Sequence, residues 1–83
     1  MTIDIPRVHE EKGYKVYIYT NEHPPPHVHV LVGDGVVVIT LDETATLVRA
    51  SDATQSEIRK AREVVLANLG KLLQAWTSLH GAQ

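Results

Sequence analysis

The sequence predicts an α+β fold: a four-stranded antiparallel meander with one long C-terminal helix packed on one face, a two-layer sandwich. Three observations predict it. Between residues 14 and 50, short β-branched and aromatic runs alternate with turn-forming residues. After Ser51 the apolar period changes from two to about 3.6. The chain of 83 residues has room for a single domain, one that buries only roughly 60 to 65% of the surface its unfolded form exposes. The expected organisation is an N-terminal arm or edge strand over 1–13, the sheet over 14–50 and the amphipathic helix over 54–80.

Within the arm, Ile3-Asp4-Ile5 is a candidate edge strand, with Pro6 and Gly13 counting against it. Tyr14 to Thr20 is rich in residues that suit a pleated, half-buried surface and is read as the first strand of the meander. His27 to Val32 alternates in type, and Gly33-Asp34-Gly35 turns it into Val36 to Leu41, which is a hairpin. Asp42-Glu43-Thr44 makes the next turn, into a short strand from Ala45 to Arg49.

Thr54-Gln-Ser-Glu57 fits a capping box at a helix start. From there Ile58, Ala61, Val65, Leu69, Leu72, Trp76 and Leu79 recur at spacings of 3, 4, 4, 3, 4 and 3, a single stripe. Gly70 falls on the opposite face and Gly81 is a stop signal. Trp76 sits in the middle of the stripe and is read as core. Arg62 lies at its edge, where either its stem covers the core margin or its guanidinium contacts an anion.

Composition narrows the class. With 43% hydrophobic and 22% charged residues, disorder is excluded. The absence of cysteine removes disulfides, thiolate zinc sites and a cysteine nucleophile, so any metal must be held by histidine and carboxylate. The net charge of −2 divides unevenly, with eight acids and four bases up to residue 53 and two acids and four bases beyond it. That imbalance falls short of the basic footprint of a nucleic-acid binder. No apolar run reaches the ~18 residues of a membrane span. Residues 1–7 lack the pattern of a signal peptide, so the expected address is the cytoplasm.

The most informative stretch is Asn21-Glu22-His23-Pro24-Pro25-Pro26-His27-Val28-His29-Val30. Its prolines stiffen the entry into the second strand. His27 and His29, two apart on a strand, share a face with Cα atoms about 6.6 Å apart. Such a pair can chelate a metal if His23, Glu22 or Asp34 supplies a third ligand. If Val28, Val30 and Val32 face the helix with Val16 and Ile18, then Lys15, Tyr17 and Tyr19 lie on the outer face beside the two histidines. Lys15 is then a candidate phosphodiester contact, the imidazoles a candidate acid and base, and the tyrosines candidate base-stacking platforms. Val36 and Val38 would join that face and make it apolar enough to pack against another surface.

Gly13-Tyr14-Lys-Val-Tyr-Ile-Tyr-Thr-Asn21-Glu22, Pro25-Pro26-His27-Val28-His29-Val30, Glu57-Ile-Arg-Lys and Lys71-Leu-Leu-Gln-Ala75-Trp76 together resemble the small bacterial domain-of-unknown-function family DUF 4160. The likeness covers nearly the whole chain, and Pro25, Pro26, His27 and His29 carry its most specific motif. The resemblance implies a bacterial cytoplasmic component of a two-gene module of toxin-antitoxin type, acting through a partner and without an established activity. His23 and Pro24 sit where the family's loop varies.

The preferred expectation is therefore an interaction module. It binds a cognate small partner protein, with nucleic acid as a further candidate partner, no membrane and no cofactor, through a face made of Lys15, Tyr17, Tyr19, Pro25, Pro26, His27 and His29. Self-association as a homodimer through the outer sheet face is expected as well. The alternative is a small nuclease that uses His27 and His29 as an acid–base pair, or as ligands of a divalent metal together with His23. With only two ligands fixed by spacing, the histidines are expected to serve structure and recognition more than metal chemistry.

Overall fold

The computed structural model describes residues 6–81. The strands are β1 (Arg7–Glu11), β2 (Tyr14–Tyr17), β3 (His27–Val32), β4 (Gly35–Thr40) and β5 (Leu47–Ser51), and the helices are α1 (Gln55–Ala67) and α2 (Leu69–His80). The strands form one open sheet in the order β1-β2-β3-β4-β5, with every neighbouring pair antiparallel. The α+β class and the meander hold. The sheet has five strands instead of four, and the helix is not single.

The additional strand, β1, lies in the segment expected to be an arm or edge strand, downstream of Ile3-Asp4-Ile5, which falls outside the described residues. Gly13 counts toward a strand pair here and not against it. Lys12 and Gly13 both adopt positive φ, 53° and 85°, and form the two-residue connection that brings Glu11 opposite Tyr14. The first strand of the meander ends at Tyr17, earlier than expected, although the Ile18 amide still donates to the Pro6 carbonyl at 3.3 Å.

Alternation along the strands decides which face is buried. Val16, Ile18, Val28, Val30, Val37 and Ile39 are fully buried beneath the helices, where Ala61 and Val65 of α1 and Leu72 and Trp76 of α2 meet them in one core. At about 25 cal/mol per Å² of apolar surface removed from water, this single layer is the main favourable contribution to the fold. The predicted capping box is present: the Glu57 amide donates to the Thr54 hydroxyl at 3.1 Å, and the Thr54 amide donates to the Glu57 carboxylate at 2.9 Å.

The helical stripe breaks at Asn68, whose backbone (φ −123°, ψ 21°) leaves the helical region. Its side-chain amide donates to the Val64 carbonyl at 2.8 Å and to the Glu11 carboxylate on β1 at 3.2 Å. The Leu72 amide then donates to the Asn68 carbonyl at 2.9 Å and restarts the spiral. Two shorter helices result, α1 against β4 and α2 against β1, so the helical layer spans a sheet wider than one helix.

The Arg62 guanidinium meets backbone carbonyls and not the anion that was one of the two expectations for it. Its Nε donates to the Ala45 carbonyl at 2.8 Å and its Nη2 to the Thr44 carbonyl at 2.9 Å, fastening the β4–β5 connection to α1. Asp42 holds the same connection from within, accepting from the Thr40 and Thr44 hydroxyls and from the Thr44 and Ala45 amides. Ala45 there has φ 46°, which is why β5 begins at Leu47 and not at Ala45 as expected. No helix among the described residues is long and apolar enough to cross a membrane.

Two glycines give opposite expectations for one chemical change. A Cβ at Gly35 would overlap the Asp52 carbonyl, whereas Gly70 faces open space. Gly35→Ala is expected to destabilise the fold by about 1 to 3 kcal/mol through overpacking, and Gly70→Ala to stabilise it by about 0.5 to 1 kcal/mol. Urea denaturation of the two variants checks the pair of signs, and equal signs would contradict this packing.

Candidate metal centre

Residues 18–26 connect β2 to β3 and return the chain over the end of the sheet. The Glu22 amide donates to the Tyr19 carbonyl at 3.3 Å within the loop, that carbonyl lies 3.1 Å from His80 Nε2 on α2, and the Pro26 carbonyl accepts from the Leu41 amide at 2.9 Å, so the loop is tied at both ends. The Pro24–Pro25 peptide bond is cis. The loop's last three residues, Pro24, Pro25 and Pro26, have fixed φ and no amide donor, which restricts the path into β3.

This loop brings Glu22 to the two strand histidines. The Glu22 Oε1 atom lies 3.1 Å from His29 Nε2 and 3.6 Å from His27 Nε2, and one donor atom from each of the three residues falls within 4.8 Å of the others. The histidine Nδ1 of residue 27 is 2.8 Å from the Pro25 carbonyl. A carbonyl oxygen only accepts, so Nδ1 carries the proton. Nε2 then faces the Glu22 carboxylate, with a lone pair in the neutral ring and with a proton in the charged one.

The environment sets the charge states. Burial drives the His29 imidazole below the ordinary histidine value, the Glu22 hydrogen bond and charge oppose this, and the charges of His27 and Arg49 reinforce it. For Glu22, burial pushes the carboxyl up, but hydrogen bonds from His29 and His27 and their charge outweigh it, and the net displacement is downward. The result is a neutral imidazole beside an ionised carboxylate. Exposure grades across the cluster, from 6% for the His29 side chain through 17% for His27 to 34% for Glu22, so one side is closed and the other is open.

Rings close the inner side. Tyr19 stacks on His29 with centroids 4.0 Å apart, which occupies a ring expected to be free for base stacking. Trp76, buried in the core, reaches His27 at 5.4 Å and stacks on His80 at 3.8 Å. On the open side is a concavity of about 280 Å³, lined by the three cluster residues together with Val38, Val48 and Arg49. His23 is not in the cluster. It lines a neighbouring concavity of about 530 Å³ with Pro24, Trp76 and His80.

The remaining residues of the expected binding face separate. Tyr17 is half-buried opposite His29, and Lys15 is exposed opposite Leu31, one row further along the strand. Pro25 lines the concavity and fixes His27, while Pro26 secures the loop. Val38 is only 3% exposed and Val36 is half-buried, so neither is the bare apolar surface expected on the outer face. Glu22 is the residue that spacing rules rank too low: it stands seven positions before His29, and only the course of the proline loop brings it back.

The sequence profile of a domain of unknown function, DUF4160, matches residues 13–77, which include the loop, both histidines and Trp76. The chain belongs to the DUF4160 family. No curated protein and no solved structure matches it. In this DUF4160 protein the matched segment leaves out β1 and begins at the turn into β2. Glu22, His27, His29 and Arg49 all fall inside it.

The charge states make stability depend on pH with a defined sign. His29 has a folded value below its unfolded value of about 6.5, so its contribution is complete above that pH and is lost as pH falls through the folded value. Glu22 acts in the same direction lower down, with its contribution present above its unfolded value and lost as the carboxyl protonates in the folded state. The thermal midpoint is expected to fall on acidification from pH 7 in the presence of a chelator, and His29→Gln to flatten the upper part of that fall. A wild-type protein and a His29→Gln variant with superimposable pH profiles would contradict the assignment.

Proposed function

We propose that Glu22, His27 and His29 are the protein ligands of a divalent-metal centre and that the protein acts as a small metal-dependent enzyme. The observation that carries this reading is the His27 ring, whose Nδ1 proton is committed to the Pro25 carbonyl at 2.8 Å while Nε2 faces Glu22. A metal-binding histidine characteristically donates its other ring nitrogen to such a carbonyl, which fixes tautomer and orientation. Ligand bonds of about 2.1 Å in a tetrahedral set put neighbouring donors about 3.4 Å apart. Two of the three donor separations, 3.1 and 3.6 Å, bracket that value, and the third lies within 4.8 Å.

Two nitrogens and one carboxylate oxygen suit zinc, manganese or ferrous iron. Three protein ligands with an open side are the pattern of catalytic sites, since structural zinc sites close all four positions. A divalent cation here would supply Lewis acidity. His29 would hold it from the closed side and Glu22 from the more exposed one, the Tyr19 ring would restrain His29, and ligands would enter from the concavity. His29 being neutral lowers the cost of metal entry, because the ring has one proton to move from Nε2 and no second one to lose.

Protein purified without an affinity tag and exposed to zinc or manganese is expected to retain about one equivalent per chain after desalting. His27→Gln and Glu22→Gln are expected to lose it while keeping the far-ultraviolet dichroism of the parent. Retention well below half an equivalent for the parent, for both metals and for iron under reducing conditions, would end the proposal.

A second reading, that the protein is a cytoplasmic component of a toxin-antitoxin-type module acting through a partner protein, has its own supporting observation. β5 is an edge strand exposed along its whole length, and it carries Leu47 and Val48 at 41% and 58% exposure. Unpaired strand edges are templates for strand addition by another chain. On this reading Val48→Lys weakens association with a co-purifying partner, or the association of two copies, while metal uptake is unaffected. Multi-angle light scattering of the parent and variant checks it, and a 9.2 kDa species for both at high concentration with no partner retained would discard it.

A further inference from the structure

The open side of the centre carries a cation of the protein's own. Tyr17, His29, Val38 and Arg49 are cross-strand neighbours in succession from β2 to β5, so the four side chains form one row on the outer face. Arg49 is separated from His29 only by the small, buried Val38, and it lines the same concavity as the three cluster residues. It makes no hydrogen bond or ion pair among the described residues, although Glu22 lies across the concavity and other carboxylates are abundant on the surface. Thr40, also at the rim, is already committed, donating to Asp42 at 2.9 Å and accepting from the Thr46 amide at 2.8 Å.

We propose that this concavity binds a phosphate ester, with one phosphoryl oxygen directed to the open side of the Glu22–His27–His29 centre and another to the Arg49 guanidinium. The inference rests on the metal-centre reading and adds the substrate class to it. A planar guanidinium offers parallel N–H donors that match two oxygens of a phosphoryl group. A ligand must also carry negative charge to be held by a cation on each side. Val38 and Val48 supply an apolar wall for the organic part of the ester. The size of the concavity, about 280 Å³, suits one phosphoryl group with a ring or a sugar attached. A purely apolar ligand would leave Arg49 desolvated and unpaired, which disfavours that class.

The test uses the full chain loaded with manganese and titrated calorimetrically with phenyl phosphate, and separately with a short oligothymidylate strand. Phenyl phosphate is expected to bind the metal-loaded protein. Arg49→Gln is expected to weaken that binding by at least about tenfold, the loss of a charge-assisted pair, with manganese stoichiometry and thermal midpoint unchanged. Oligothymidylate binding more tightly than phenyl phosphate, with the same dependence on Arg49, identifies nucleic acid as the source of the phosphoryl group. The reverse order identifies a small ester. Manganese bound normally but neither probe bound, or binding indifferent to Arg49→Gln, overturns this inference and leaves the metal centre standing. Failure to take up manganese, zinc or iron removes both.

Discussion

A chain this short has one layer of helix to spend on a five-stranded sheet, and most other features of the structure follow from burying one face and not the other. Val16, Ile18, Val28, Val30, Val37 and Ile39 all point toward the helices and are fully enclosed. Among the described residues the outer face has no second layer, so its central residues shield one another. His29 is the extreme case, 5% exposed on the face without helices, covered by the Tyr19 ring and by the loop that carries Glu22. A buried imidazole needs a hydrogen-bond partner, and Glu22 provides it. The same shortage of covering layer explains the break at Asn68. A straight helix would cover one diagonal of the sheet, whereas two segments meet β4 and β1 separately.

What the sequence reveals and what it conceals divide along the range of the interactions. Period two and period 3.6 report burial residue by residue, so the hairpin of β3 and β4, the Thr54 capping box and the stripe from Ile58 to Leu79 are legible. Interactions between distant segments leave no local pattern. Asn68 fits the helical stripe's surroundings, and nothing nearby announces that it will leave the helix to bind Glu11, fifty-seven positions earlier. Arg62 likewise reads as a margin residue until the turn at Thr44 and Ala45 is folded against it. β1 is hidden for a different reason. Its turn residues, Lys12 and Gly13, resemble breakers, and its strand is polar enough to lack a clear alternation.

The candidate site shows the same division within ten residues. That His27 and His29 share a face follows from the strand period alone. That Glu22 joins them does not, because the proline segment between has a path that composition restricts without specifying. Neighbours then part company: Glu22 meets the imidazoles while His23 turns to the concavity beside Trp76. A search by spacing gives the two residues similar claims to be the third ligand, and only the folded loop separates them. Tyr19 and Arg49 are legible as members of the outer face, but their roles differ, one capping His29 and the other left without a partner.

The core and the site are joined through Trp76, and this bears on how firmly the ligands are held. The indole is part of the helix-to-sheet packing, stacks on His80 at 3.8 Å and reaches His27 at 5.4 Å. His80 lies 3.1 Å from the Tyr19 carbonyl, and the Tyr19 ring stacks on His29. Each imidazole of the cluster is therefore braced twice: His27 by the Pro25 carbonyl and Trp76, His29 by Glu22 and Tyr19. Donor atoms held in this way lose little further freedom when a ligand enters, so less of the interaction energy is consumed in ordering them. His27 and His29 differ from the equally braced His80 in that their ring nitrogens converge on one carboxylate, Glu22, and Trp76 of α2 packs against His27 from the core side.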